Sequence, residues 1–146
     1  MKKFIQLTYI LLISFITTSS LFSSEEIIKG RQEIFSKNYN TAKAVSAAIK
    51  SGDNEKAKEL LEEVSKNFNT LLKYFPEDSK TGFDTEALPA IWENSDEFVT
   101  LMQNASSNAL MLAKKLDDDT ADITSLEKEL LWNNCSACHK KFRLKK

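Results

Sequence analysis

Both cysteines of the chain and its only histidine lie in one stretch of five residues near the C-terminus, Cys135-Ser136-Ala137-Cys138-His139. Two thiols separated by two residues can add to the two vinyl groups of haem, and an imidazole directly after them reaches the iron from the same side. On a helix, Cys135, Cys138 and His139 fall within an arc of about 100°. The motif therefore predicts one covalently attached haem c, with His139 as the iron ligand.

Three other kinds of site could use this motif. A thioredoxin-like redox site needs a strand before the motif and a βαβ setting, and no part of the sequence is typical of a strand. A structural zinc site needs four ligands, whereas the chain offers three Cys and His side chains in all. A single disulfide in an exported helical protein is the third alternative. Covalent haem is the interpretation that accounts for all three side chains.

The N-terminus has the pattern of a secretory signal peptide. Lys2 and Lys3 precede an apolar run from Phe4 to Ile16, and small hydroxyl residues follow. This predicts a signal peptide over residues 1–23, with cleavage between about residues 20 and 24, and export to the periplasm. An uncleaved anchor is the alternative, although the apolar run is short for a membrane-spanning helix. The remaining residues, 24–146, form one predicted domain.

Composition limits the kinds of partner that the mature domain can have. Removing Lys2 and Lys3 with the signal peptide leaves 18 Lys and Arg against 21 Asp and Glu, a net charge of −3. A mildly acidic domain of this kind is not expected to bind nucleic acid. The chain has only three glycines and two prolines, and few turn residues favour a small number of long helices.

Apolar residues recur every three or four positions through most of the mature region, which predicts amphipathic helices. The predicted helices span about 25–50, 54–74 and 89–116, and from 122 to the C-terminus. The only long connection, 75–88, either crosses between helices or packs over one end of the fold. The sequence therefore predicts an all-α protein, an antiparallel four-helix bundle with the haem against its core near the C-terminal helix.

Two polar residues, Arg31 and Asn38, interrupt the apolar face of the first predicted helix. An arginine on a buried face needs a partner, because burying an unpaired charge is costly. A haem propionate would be one partner, and a route along which the side chain reaches solvent is the alternative.

Three parts of the sequence resemble the cytochromes c prime, the class II c-type cytochromes, and the resemblance spans the whole mature chain. The first is the C-terminal motif, which continues to Phe142 and Arg143 as in that family. The second is the segment from Arg31 to Phe35. The third is Ala90-Ile91-Trp92 followed by Phe98.

The resemblance implies a role for each matching residue. Cys135 and Cys138 would carry the thioether bonds and His139 would be the proximal ligand. Arg31 and Gln32 would contact a propionate. Arg143 would lie beside the proximal imidazole and influence its bond to iron.

Phe35 would occupy the distal face, where some low-spin relatives have a methionine that binds iron. Phenylalanine cannot ligate iron, so we expect a five-coordinate, high-spin haem with a hydrophobic distal pocket. Such a pocket offers dioxygen no hydrogen bond and no acid for cleaving it. Met102 or Met111 as a sixth ligand is the alternative.

These features and the resemblance together imply a periplasmic haem protein that binds NO and CO, linked to protection against nitrosative stress, with haem redox activity. It would be a binding module and not an enzyme, since no second histidine is present for acid–base catalysis. The alternative is an electron carrier with a low-spin, six-coordinate haem. Its redox partner is not identified by the sequence. Family members are often dimers, and a homodimer is expected here, with Tyr39, Val45 and Ala48 near the outer face of the first helix.

Overall fold

The computed structural model describes residues 23–145, which form helices joined by short turns and one long connection. The helices are α1 (Ser24–Ser51), α2 (Asn54–Leu71), α3 (Ala90–Glu93), α4 (Ser95–Lys115), α5 (Ile123–Glu127) and α6 (Asn133–Phe142). A π-helical turn, Lys128–Trp132, joins α5 to α6. These helices confirm the predicted antiparallel four-helix bundle, in which α3 with α4 and α5 with α6 form the third and fourth members. The signal peptide lies outside the described residues apart from Ser23, and it stays a prediction.

The long helix α1 is fixed at both ends by its own sequence. Ser23 and Glu26 form a capping box, in which the Ser23 hydroxyl accepts from the Glu26 backbone and the Glu26 carboxylate accepts from the Ser23 backbone. At the other end Gly52 adopts φ +77°, a left-handed conformation that favours glycine. The predicted break after residue 50 is therefore confirmed.

The third predicted helix, 89–116, is wrong as a single helix, because it breaks at Asn94. The backbone of Asn94 has φ −129° and ψ 49°, outside the helical region. Its side chain donates from Nδ2 to the Ala90 carbonyl at 3.1 Å, which satisfies an acceptor at the end of α3. The short helix α3 holds Trp92 in place, where Nε1 donates to the Phe75 carbonyl at 3.0 Å.

The core lies where the apolar faces of the four bundle members meet. α1 packs on α2, α2 on α4, and α4 on α6, so helices that follow one another in sequence are neighbours. The largest fully buried apolar side chains are Ile28, Val45, Leu61, Val64, Leu71, Met102 and Leu112. Among residues 23–145, no helix has both the length and the apolar composition required to cross a membrane.

The 75–88 connection packs over one end of the bundle, the second of the two predicted alternatives. Its last residues pair with the end of α6: the Leu88 amide donates to the Phe142 carbonyl at 3.0 Å, and the Leu144 amide donates to the Glu86 carbonyl at 2.8 Å. The connection is thereby attached to the helix that carries the C-x-x-C-H motif.

Candidate functional site

A cavity of about 860 Å³ lies between α1 and α6, with α2 and α4 behind it. Its volume is within the range of pockets that enclose a drug-sized ligand or cofactor. Every site residue that the sequence predicted lines it, from both walls: Arg31, Gln32, Phe35, Cys135, Cys138, His139 and Arg143. Residues separated by about one hundred positions in the chain therefore face one space.

Cys135 and Cys138 lie on α6 as free, partly buried thiols. Burial raises the pKa of Cys135, and burial with the charge of Cys135 raises the pKa of Cys138 to about 11. Both thiols are therefore protonated near neutral pH. The π-helical turn directly before them places Leu131 in the core, and such turns inside helices are common at functional sites.

The π-helical turn is tied to α1 by Glu127, a residue whose role the sequence did not reveal. The Glu127 carboxylate accepts from the Ser46 hydroxyl on α1 and from the Trp132 indole Nε1, the latter at 2.9 Å. Tyr39, also on α1, meets the Trp132 ring edge to face, with centroids 6.3 Å apart. Ser46 and Glu127 are too far apart in sequence for any local pattern to show this link.

His139 lines the cavity beside a charged pair. Arg143 contacts Glu86 through both Nε and Nη2, each 2.6 Å from the same carboxylate oxygen. Partial burial and the charge of Arg143 lower the pKa of His139, while Glu86 acts in the opposite direction. The lowered pKa favours the neutral imidazole, the form that ligates a metal. Glu86 was also missed by the sequence analysis, because it belongs to the long connection.

Arg31 is buried, so its side chain does not reach solvent. Nη1 donates to the Ser79 hydroxyl at 2.9 Å and to the Tyr74 carbonyl at 3.2 Å, and Nη2 donates to the Ser79 carbonyl at 2.9 Å and the Thr85 hydroxyl at 2.6 Å. The guanidinium also lies 4.9 Å from the Phe75 ring centroid. Burial lowers the pKa of Arg31 to about 10, so it remains charged at neutral pH.

These contacts give Arg31 a partner that no sequence pattern indicated, the connection itself. The four bonds match the four N–H groups of the two terminal nitrogens, and none of them involves Nε. The neighbouring Gln32 is exposed, and its Nε2 donates to the Asp84 carbonyl at 3.2 Å. The propionate roles of both residues stay predictions.

Phe35 lies on the wall formed by α1 among the polar residues Gln32, Ser36 and Asn38, and its ring meets that of Phe75 edge to face with centroids 6.4 Å apart. Of the two methionines proposed as sixth ligands, Met102 lines the cavity and is 2% exposed. Met111 is 50% exposed and does not line it. Met102 is therefore the methionine placed to reach a haem.

The residues present fit a covalently bound haem. Two thiols and an imidazole line the cavity from α6, apolar side chains line most of the rest, and Arg31 and Gln32 lie on the opposite wall. The two thiols and the imidazole are the groups that a covalently attached haem requires.

Comparisons with known proteins agree with this arrangement. The family model described as Cytochrome C′ matches residues 26–143. Cytochrome c-556 from Agrobacterium tumefaciens (strain II Chrys) is 35% identical over 103 residues, which cover 70% of this chain and 82% of that protein. Cytochrome c′ from Rhodopseudomonas palustris (strain ATCC BAA-98 / CGA009) is 30% identical over 124 residues, which cover 83% of this chain and 84% of that protein.

The solved structure of cytochrome c′ from Rhodopseudomonas palustris superposes with a TM-score of 0.70 at 31% identity, and it covers 82% of this chain and 97% of that one. Cytochrome c′ from Thermochromatium tepidum superposes with a TM-score of 0.73 at 19% identity, which shows the shared fold. The sequence resemblance and the predicted cofactor are thereby confirmed. The chain belongs to the cytochrome c′ family, and its cofactor is one covalently bound haem c.

Proposed function

We propose that the protein is a periplasmic haem protein that binds NO and CO on the side of the haem that faces α1. The observation that carries this proposal is that Phe35, on the cavity wall formed by α1, presents a phenyl ring that cannot ligate iron. His139 is then the only protein ligand, and the opposite face is left for a small uncharged gas. When bound, the haem supplies an iron that takes up such gases and exchanges one electron.

The remaining site residues would hold and orient the haem. Cys135 and Cys138 would form the thioether bonds, in which the S and H of each thiol add across one vinyl group of the haem. Arg143, restrained by Glu86, would lie beside the His139 imidazole and influence its bond to iron. Gln32 and the Nε of Arg31 would contact a propionate at the open end of the cavity.

Location, assembly and the absence of turnover are part of the same proposal. The N-terminal pattern supports export to the periplasm, where the protein would protect against nitrosative stress. We propose a homodimer that includes the outer face of α1; Tyr39, although 58% exposed, lines the haem cavity and contacts Trp132, so it does not belong to that face. Val45 and Ala48 do not contribute to that face, because both are buried in the core. With one histidine in the chain, we propose a binding module and not an enzyme.

Distant relatives bear on the fold alone. A ferrous variant of cytochrome c′ from Alcaligenes xylosoxidans has been solved with bound NO, and it is 21% identical to this chain. The proposal of gas binding here therefore rests on the cavity and on Phe35.

Met102 supports a second candidate, an electron carrier. Its thioether lines the cavity from α4 and is almost fully buried, and methionine is a known axial ligand of haem. A sixth ligand from Met102 would exclude gases and give a low-spin iron suited to electron transfer.

The visible absorption spectrum of the reduced holoprotein, recorded before and after adding CO or NO, separates the two functions. Gas binding predicts a high-spin spectrum that changes on addition of gas. An electron carrier predicts a low-spin spectrum that CO leaves unchanged. In the second case, Met102→Leu would convert the spectrum to high spin, whereas Met111→Leu, at the exposed methionine of the same helix, would not.

A further inference from the structure

Arg31 is a buried cation on the wall of the haem cavity. It is 3% exposed, and in the part of the chain that the structure describes it is the only charged side chain that is buried. Burying a charge is costly, so such a group is normally paired with an opposite charge. The groups that surround Arg31 therefore decide how strongly its charge acts on the cavity.

The four hydrogen bonds of this guanidinium all go to uncharged groups. The acceptors are hydroxyl and carbonyl oxygens of Ser79, Thr85 and Tyr74. The rings of Phe75 and Trp92, whose centroids lie 4.9 Å and 5.9 Å from Cζ of Arg31, are neutral as well. Burial alone lowers the pKa of Arg31, and no carboxylate among residues 23–145 opposes it. Dipoles and aromatic rings thus hold the charge in place without neutralising it.

The carboxylates on the cavity wall do not cancel this charge. Glu86 is paired with Arg143, so these two opposite charges offset each other. Asp84 is exposed, so water and salt screen its charge. The positive charge of Arg31 therefore acts on the interior of the cavity without compensation from either carboxylate.

We propose that the charge of Arg31 raises the reduction potential of the haem. Reduction transfers one electron from a donor to the iron and makes the haem more negative by one unit, with no bond formed or broken. A fixed positive charge stabilises the reduced form relative to the oxidised form, and the effect is larger where little water screens it. This inference rests on the proposed one-electron exchange of the haem and deepens it. It applies to a gas-binding protein and to an electron carrier alike.

The size of the effect follows from Coulomb's law. For unit charges about 10 Å apart, the cube root of the cavity volume, an effective dielectric constant of about 20 changes an equilibrium constant about tenfold. A propionate in contact with Arg31 would not remove this effect, because its charge is the same in the reduced and oxidised haem.

The test is a spectroelectrochemical titration of the holoprotein with soluble one-electron mediators at neutral pH. Arg31→Met removes the charge, and Arg31→Gln is a second neutral variant should the methionine variant not fold. At the potential where half of the wild-type haem is reduced, we expect the ratio of reduced to oxidised haem to fall about tenfold in either variant. For one electron this is a shift of about 59 mV.

Two further variants separate the charge from the hydrogen bonds. Arg31→Lys keeps the charge without the four-bond pattern, so it should retain most of the wild-type ratio. Lys29→Met removes an exposed cation of the same helix that is paired with Glu25, so it should leave the ratio unchanged.

Each outcome has a distinct meaning. A lower ratio in the neutral variants that lysine restores supports the proposal. An unchanged or higher ratio in the neutral variants overturns it, and an equal fall in Arg31→Lys also overturns it by assigning the effect to the lost hydrogen bonds. In both cases the wild-type haem still exchanges an electron, so the proposed function stands. A wild-type haem that cannot be reduced and reoxidised reversibly contradicts that electron exchange, and this inference fails with it.

Discussion

Arg31 on α1 holds Ser79 of the long connection through two hydrogen bonds of 2.9 Å, one to the hydroxyl and one to the carbonyl oxygen. Both residues are buried, with exposures of 3% and 0%. The same guanidinium also bonds Thr85 and the Tyr74 carbonyl. Arg31 therefore fixes the connection in place. The same connection carries Glu86, which pairs with Arg143 next to His139.

Removing this guanidinium should destabilise the fold whether or not it contacts the haem. We expect Arg31→Met to lower the free energy of unfolding by about 3 kcal/mol, because three acceptors of the connection and the Tyr74 carbonyl lose a charged, buried donor. Arg143→Met is the matched control: its ion pair is half exposed, and we expect a loss of less than about 1 kcal/mol. Urea unfolding of the holoproteins measures the loss of unfolding free energy in both variants. Equal losses would contradict the structural role of Arg31.

Gly30 precedes Arg31 and allows the Tyr74 ring to lie close to α1. A Cβ atom at this position would be 2.6 Å from Cε1 of Tyr74, closer than van der Waals contact permits. We expect Gly30→Ala to be destabilising by about 1–3 kcal/mol, although alanine is the better helix former. Combining it with Tyr74→Leu should restore most of the loss in a thermal unfolding experiment. A stabilised Gly30→Ala protein would show that the ring moves aside freely.

Phe35 should control the entry of gas. We expect Phe35→Leu to bind CO about tenfold faster, which corresponds to a barrier lowered by about 1.4 kcal/mol, because leucine leaves more space on the cavity wall. Flash photolysis of the reduced CO complex gives this rate. An unchanged rate would show that Phe35 does not form the barrier to entry.

A double-mutant cycle can test the link between α1 and the π-helical turn. Trp132→Phe removes the indole donor to Glu127 and Ser46→Ala removes the hydroxyl donor. We expect each to lower the free energy of unfolding by about 1 kcal/mol. The loss of unfolding free energy in the double variant should differ from the sum of the two single losses, because both donors share one carboxylate. Strict additivity would show that the two bonds act independently.

Asp118 makes the stability of the fold depend on pH in the acid range. Its carboxylate accepts from the Thr120 hydroxyl at 2.7 Å and from Lys115 at 3.0 Å, and these contacts lower its pKa to about 2. A carboxyl whose pKa is lower in the folded state stabilises the fold above its unfolded pKa, and that contribution disappears as the pH falls through the folded value. We expect wild type to melt at a higher temperature than Asp118→Asn at neutral pH. The difference should shrink between about pH 4 and 2. A difference that is constant over this range would contradict the assignment.

Local patterns in the sequence determined the helices and the chemistry of the site. Periodic apolar residues and the Ser51-Gly52-Asp53 break predicted the bundle, since an amphipathic helix must bury one face. The spacing of Cys135, Cys138 and His139 predicted the haem, because three groups within one turn lie on one helix face whatever surrounds them. The pattern did not predict the break at Asn94, where a side chain competes with the helical backbone.

Tertiary structure decided which residues from different segments meet. Arg31 was predicted to need a partner, but only packing brought the 75–88 connection to it and Glu86 to Arg143. The link from Ser46 through Glu127 to Trp132 spans 81 positions between its first two residues, and no periodic pattern encodes such a pair. Asn38 was visible in the sequence as a polar interruption of an apolar face. Its bond to Asn67 depends on where that residue lies, and this is fixed only when α2 packs against α1.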